Sequence, residues 1–136
     1  MNGLLELLKK HEGFRSRPYK CSQGHLTVGY GQAIKDLVLD EDIAEMILIR
    51  KVDRDTQDII KRFPWWKSAD NDVKTVVSCM VFQIGLSGFS KFKKTIDHLE
   101  NKRYGKASAE MLDSKWGREQ TPNRALELSN IIKNLE

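Results

Sequence analysis

Residues 11–31 read HEGFRSRPYKCSQGHLTVGYG, and this stretch separates two kinds of sequence. Before it, Leu4, Leu5, Leu7 and Leu8 recur at helical spacing after Asn2, a good capping residue. That pattern predicts a short amphipathic helix from about residue 3 to Glu12, ended by Gly13. Within the stretch, Arg15, Arg17 and Tyr19 alternate with smaller residues, Ser22-Gln23-Gly24 reads as a turn, and Leu26-Thr27-Val28 reads as a strand. The sum is a small hairpin, polar on at least one face. Glu12 falls where helix gives way to hairpin. A carboxyl at such a junction can be partly buried, and burial favours the protonated form that a general acid needs. An ordinary surface Glu at a helix end fits the same spacing.

Downstream of residue 31 the period changes. Asp40 caps a long helical pattern, with Glu41 and Asp42 well placed in its first turn. Ile49, Val52, Thr56, Ile59 and Phe63 follow at steps of three and four, and Pro64 closes the run. Ser68 is the expected cap of the next helix, whose buried face is Val73, Val76, Val77, Met80 and Val81. Gly85 is expected to end it. Phe92, Ile96 and Leu99 mark another helix, Met111 and Leu112 a further one, and Thr121-Pro122 opens the last, which carries Leu128, Ile131, Ile132 and Leu135. There is no internal repeat. The predicted fold class is α+β, mostly α. A small hairpin lobe (13–39) and a larger helical lobe (1–12 and 64–136) are joined by a long helix (40–63), all within one domain, 1–136. Ligands favour clefts between lobes.

Composition sets broad bounds. The chain has 136 residues, 40% hydrophobic and 31% charged, with a formal net charge of +4. That is an ordinary balance for a chain that buries its own core. The net charge is +4 over residues 1–35, −3 over 36–63 and +3 over 64–136. Cationic ends suit a polyanionic partner such as nucleic acid, anionic lipid or cell wall, and equally a solvated basic surface. Two cysteines, Cys21 and Cys79, do not make a disulfide framework. Leu4–Leu8 is too short and interrupted for a signal peptide or signal-anchor, so synthesis in the cytoplasm is expected. His11, His25 and His98 lack metal-ligand spacing with the cysteines, and no cofactor is expected. Gly29-x-Gly31 lacks the third glycine of a dinucleotide loop. Nucleic-acid binding would rest on charge alone.

Three ordered blocks add a resemblance. They are residues 11–31, MVFQIGLSGF at 80–89 and SKWGREQTPNRA at 114–125. Together they resemble the phage-type lysozymes, glycoside hydrolase family 24, along almost the whole chain. In that family a Glu is followed nine positions later by Asp, less often Cys, and six further on by Thr. Here these positions hold Glu12, Cys21 and Thr27, and Gly29-Tyr30-Gly31 follows. The resemblance implies a lysozyme-like fold and catalytic roles for Glu12 as general acid, with Thr27 helping to hold the attacking water. It implies that Arg124 supports Glu12 by pairing with it, which would favour the charged carboxylate. It places Phe82, Gln83, Thr95 and Trp116 at substrate-binding or supporting positions, although core packing suits Phe82 and Trp116 as well.

Cys21 departs from the usual pair of carboxylates. A free thiol has a pKa of about 8.5, so only a few per cent is thiolate near neutrality. Lys20, Arg15 and Arg17 are sequence neighbours that could depress it. Cys21 is therefore a catalytic candidate, positioning or deprotonating the water with Thr27; a structural thiol is the simpler alternative. The stretch from Gly31 to Asp40 is short, so a third strand is expected to be missing. Gln32 and Glu110 stand where the family resemblance implies a His and an Asn. Cys79, just before MVFQIG, reads as a small buried core residue, with a place near the cleft floor as the alternative.

The expected activity is an endolysin hydrolysing the β-1,4 bond between N-acetylmuramic acid and N-acetylglucosamine in bacterial peptidoglycan, for host cell lysis. Two other readings stay open. A lytic transglycosylase would use Glu12 alone. A non-enzymatic cationic wall- or membrane-binding module would use the amphipathic last helix. The expected partner is bacterial peptidoglycan, with no nucleic acid, no stable membrane insertion and no metal. A monomer is expected, held in the host cytoplasm until a holin-like protein permits release.

Overall fold

The computed structural model describes residues 2–136, with backbone only at Asn2, so the proposed cap at the Asn2 side chain lies outside the described residues. The order is α1 (Asn2–Glu12), β1 (Arg15–Lys20), β2 (Leu26–Gly29), β3 (Gln32–Ala33), a 3-10 turn (Ile34–Asp36), α2 (Glu41–Arg62), a second 3-10 turn (Pro64–Ser68), α3 (Asn71–Ser90), α4 (Lys93–Glu100), α5 (Tyr104–Leu112), a π turn (Trp116–Gln120) and α6 (Pro122–Lys133). This is the mostly helical α+β class expected. The chain forms two compact units, Met1–Ala44 and Glu45–Glu136.

In the first unit α1 ends at Glu12, where the Gly13 N–H donates to the Lys9 carbonyl at 2.9 Å. The three strands form one antiparallel sheet in the order β1-β2-β3. Tyr19 pairs with Thr27 and Lys20 with Leu26, while Thr27 pairs with Ala33 and Val28 with Gln32. The third strand is thus present, contrary to expectation. It is only two residues long, which is why no alternating pattern announces it. Side-chain contacts here are peripheral: Phe14 meets Tyr30 at 5.5 Å, and the Arg15 guanidinium lies 4.8 Å from the Tyr19 ring.

In the second unit the core is formed by Ile59 of α2, Val73, Val76, Val77, Met80, Val81 and Phe89 of α3, and residues of α4 to α6. By length and composition α3 could cross a membrane; six of its side chains are instead buried. Burial of each is worth about 1.5–3 kcal/mol. Ser68 does not cap α3. It ends the 3-10 turn begun by Pro64, and Asp70 takes over, accepting from the Asp72 N–H at 2.8 Å. Gly85 breaks the helix, as expected, at φ 78° and ψ 162°, but helical structure resumes to Ser90. Thr121 precedes α6 without capping it, since its hydroxyl is engaged by Gln83. Phe63, Phe89, Phe92 and Trp116 pack in sequence, with ring centroids 5.7, 6.4 and 6.0 Å apart.

Candidate active site

Glu12 is the last residue of α1 and is exposed, rather than half-buried as the junction suggested. Its carboxylate lies against the backbone of Gly31. A Cβ at Gly31 would approach the Glu12 Cδ to 2.9 Å and come closer still to Oε2. Gly31 also has φ 74°, the left-handed region that side chains avoid. The turn from β2 to β3 therefore needs glycine for its backbone conformation, and the bare Cα also leaves the Glu12 carboxylate its place beside the turn.

Cys21 and Thr27 come together at the other turn. The Cys21 N–H donates to the His25 carbonyl at 2.8 Å, and the Gly24 N–H to the Cys21 carbonyl at 2.9 Å. This tight loop turns the N–H groups of Gln23 and His25 toward the Cys21 sulfur. Those two hydrogen bonds, helped by the Thr27 hydroxyl, hold the thiol below its ordinary pKa against a smaller opposing effect of desolvation. The charges of Lys20, Arg15 and Arg17, the sequence-based candidates, are not among the causes. Backbone N–H groups do the work instead, as in other anion-binding turns. Thr27 is buried, and its hydroxyl is also 3.2 Å from the His25 carbonyl. With one proton to give, that hydroxyl serves either the carbonyl or the sulfur.

The remaining candidates belong to the second unit. Trp116 is 3% exposed and its indole N–H donates to Gln83 Oε1 at 3.0 Å, while Gln83 Nε2 donates to Thr121 Oγ1 at 3.2 Å. Gln83 thus locks the π turn to α3. Gly117 fits there because a Cβ would run into the backbone carbonyls of Met111 and Leu112. Thr95 is 2% exposed, and with Trp116 it lines a cavity of about 470 Å³. Phe82, by contrast, is exposed, with the Lys51 ammonium 5.4 Å from its ring. It lines a different cavity, of about 700 Å³, with Arg124, Trp66 and Cys79. Core packing therefore describes Trp116 and not Phe82. Cys79 is exposed rather than buried, and both cysteines are free thiols.

Sequence reasoning missed Lys91, Lys93, Lys94 and Lys115, which line the smaller cavity. The signal was the run Lys91-Phe92-Lys93-Lys94, which read only as part of a basic surface.

Known proteins bear on this arrangement. The chain is 26% identical to the probable T4-type lysozyme 1 of Dictyostelium discoideum, over 98% of this chain and 95% of that protein. It is 29% identical to an endolysin of Acyrthosiphon pisum secondary endosymbiont phage 1, over 95% and 87% respectively. It is also 24% identical to the pre-baseplate central spike protein Gp5 of Enterobacteria phage T4, over 95% of this chain and 27% of that one. The family model described as phage lysozyme matches residues 9–128. That span takes in the Glu12, Cys21 and Thr27 turns together with the Gln83–Trp116 lock, and the chain belongs to the phage lysozyme family of lysozyme-type cell-wall hydrolases.

Proposed function

We propose that this protein is an endolysin that hydrolyses the β-1,4 bond between N-acetylmuramic acid and N-acetylglucosamine in peptidoglycan, for host cell lysis. Glu12 donates its proton to the glycosidic oxygen as the bond to the anomeric carbon breaks. A water held by Thr27 attacks that carbon from the opposite face and passes its proton to the Cys21 thiolate. The observation that carries the reading is the turn at Cys21: two backbone N–H groups favour the thiolate, and a threonine hydroxyl lies beside it. A thiolate there takes the place of the second carboxylate in the two-acid scheme. Inversion is the stereochemical outcome that the family resemblance implies. Phe82, Gln83, Thr95 and Trp116 serve the substrate or its support. The protein acts as a monomer on the wall, without nucleic acid or stable membrane insertion, reaching it from the host cytoplasm through a holin-like partner.

The test is digestion of purified peptidoglycan, with the sugar products weighed by mass spectrometry. Reducing-end muramic acid, one water heavier than the anhydro form, is the expected product. Anhydro-muramic ends would make the protein a lytic transglycosylase, with Glu12 acting alone. Lysis that survives Glu12→Gln would make it a non-enzymatic wall-binding module.

A further inference from the structure

The larger cavity of the second unit, about 700 Å³, contains groups that packing does not explain. Thr75, Cys79 and Phe82 line it from α3, at spacings of four and three that share one helix face. The core takes another face of the same helix, through Val73, Val76, Val77 and Met80. Cys79 therefore stands on the cavity face, exposed and as a free thiol. Lys74 and Arg124 line the cavity too, and neither forms an ion pair among the described residues. Glu127 is the one acid of this lining, so the cavity carries an excess of positive charge. A second observation is independent of the thiol. Trp66, 8% exposed, lines the same cavity, and its buried indole N–H has no hydrogen-bond partner among the described residues. The Lys74 ammonium lies 5.4 Å from the Trp66 ring and holds a cation beside that unused donor. A buried donor without an acceptor weakens a fold unless something supplies the acceptor.

We propose that Cys79 is a modification site: this cavity takes a small, carboxylate-bearing disulfide, and Cys79 keeps half of it as a mixed disulfide. The Cys79 thiolate attacks one sulfur of the bound disulfide. The new Sγ–S bond forms as the old S–S bond breaks, and the other half leaves as a thiolate that takes up the proton Cys79 gave. Thiol and disulfide become thiol and mixed disulfide, with no further oxidant. Selection is by charge and size. Carboxylates meet the Lys74 and Arg124 cations, and one of them gives the Trp66 N–H its acceptor. A volume of about 700 Å³ lies in the range of small-molecule sites, about 300–1,000 Å³, so a short acidic peptide disulfide fits it. A cationic disulfide of the same reactivity meets repulsion at Lys74 and Arg124.

Two measurements test this. The first follows the mass of the Cys79 peptide during reaction of the full chain with oxidised glutathione, which carries carboxylates, and with cystamine, which is cationic. The same reactions in urea give the intrinsic reactivity of each reagent. Relative to the unfolded chain, folded Cys79 should favour oxidised glutathione by about tenfold, the low end of electrostatic selection. Lys74→Gln should reduce that preference, and Lys74→Arg should keep it. Equal relative rates for the two reagents, or a preference for cystamine, overturn the proposal. The second measurement follows the Trp66 indole N–H resonance, assigned through Trp66→Phe. It should move when glutathione is joined to Cys79 and return when a reductant removes it, and Cys79→Ser should show neither change. A resonance that stays in place on full modification of Cys79 overturns the proposal, because the ligand then does not engage the cavity.

Discussion

The unit Glu45–Glu136 holds every buried hydrophobic side chain among the described residues, whereas Met1–Ala44 holds a single buried side chain, Thr27. The first unit contains four of the five left-handed glycines instead. One unit is ordered by close packing, the other by turns and backbone hydrogen bonds. The difference teaches where tolerance lies. A packed interior loses stability when atoms are removed. A turn loses geometry when atoms are added, and the residues whose geometry matters here, Glu12, Cys21 and Thr27, all belong to the turn-built unit.

Substitutions can break this contrast, beginning with the largest expected effect. Glu12→Gln should lower hydrolysis by roughly 10²–10⁴-fold, the usual weight of a general acid. Its melting temperature should stay essentially unchanged, because the side chain is exposed; reducing-end assay and calorimetry check both halves. Met80→Ala should do the reverse, costing about 2–5 kcal/mol in urea unfolding. Met80 is fully buried, and per folded molecule the variant should keep the parent's activity.

Gly31→Ala lies between these extremes. A left-handed alanine costs about 1–2 kcal/mol, and its methyl would displace the Glu12 carboxylate. Activity should therefore fall further than stability, by at least about tenfold. Activity lost only in proportion to folded protein would show that Gly31 serves the turn and not Glu12.

The smallest effect concerns pH. The Cys21 thiol is held below its ordinary range, so the thiolate is populated at lower pH than in a free cysteine. If it accepts the water's proton, activity rises with pH through that lowered value and levels off above it. Cys21→Ser should abolish the rising limb, and Cys21→Asp should move it to lower pH, near the ordinary carboxylate range of about 4. A profile flat from pH 6 to 8 in the parent, together with full activity after alkylation of the thiols, would remove Cys21 from the mechanism.

Much of the packed unit was legible in the sequence because its signals are local and periodic. Val73, Val76, Val77, Met80 and Val81 advertise a buried helix face by their spacing, and Pro64 and Gly85 mark real interruptions. The failures occurred where an interaction crosses the sequence. Asp70 displaces Ser68 as the cap because the Pro64–Ser68 turn comes between. The Thr121 hydroxyl faces Gln83, 38 residues away, instead of its own helix. β3 is held by two register pairs with β2 and by no pattern of its own. In the site, Glu12, Cys21 and Thr27 stood out through family resemblance, while the cause of the Cys21 shift lay in backbone geometry that residue types do not reveal. The lysine-lined cavity was invisible because Lys115 joins Lys91, Lys93 and Lys94 only through folding.

The π turn from Trp116 to Gln120 has a consequence for how this chain could change in length. It closes on a hydrogen bond from the Thr121 N–H to the Trp116 carbonyl at 3.0 Å, spanning one residue more than an α-helical turn. That extra residue sets the phase between Trp116 and α6. A π turn is an α-helical turn that has taken up one extra residue, so deleting one residue between 117 and 120 should return it to the α-helical span. Such a deletion should leave the helices on either side intact, and whether the Trp116 indole keeps its hydrogen bond to Gln83 measures how much the extra residue matters. The turn is thus a place where the chain can gain or lose a residue far in sequence from the turns around Glu12 and Cys21.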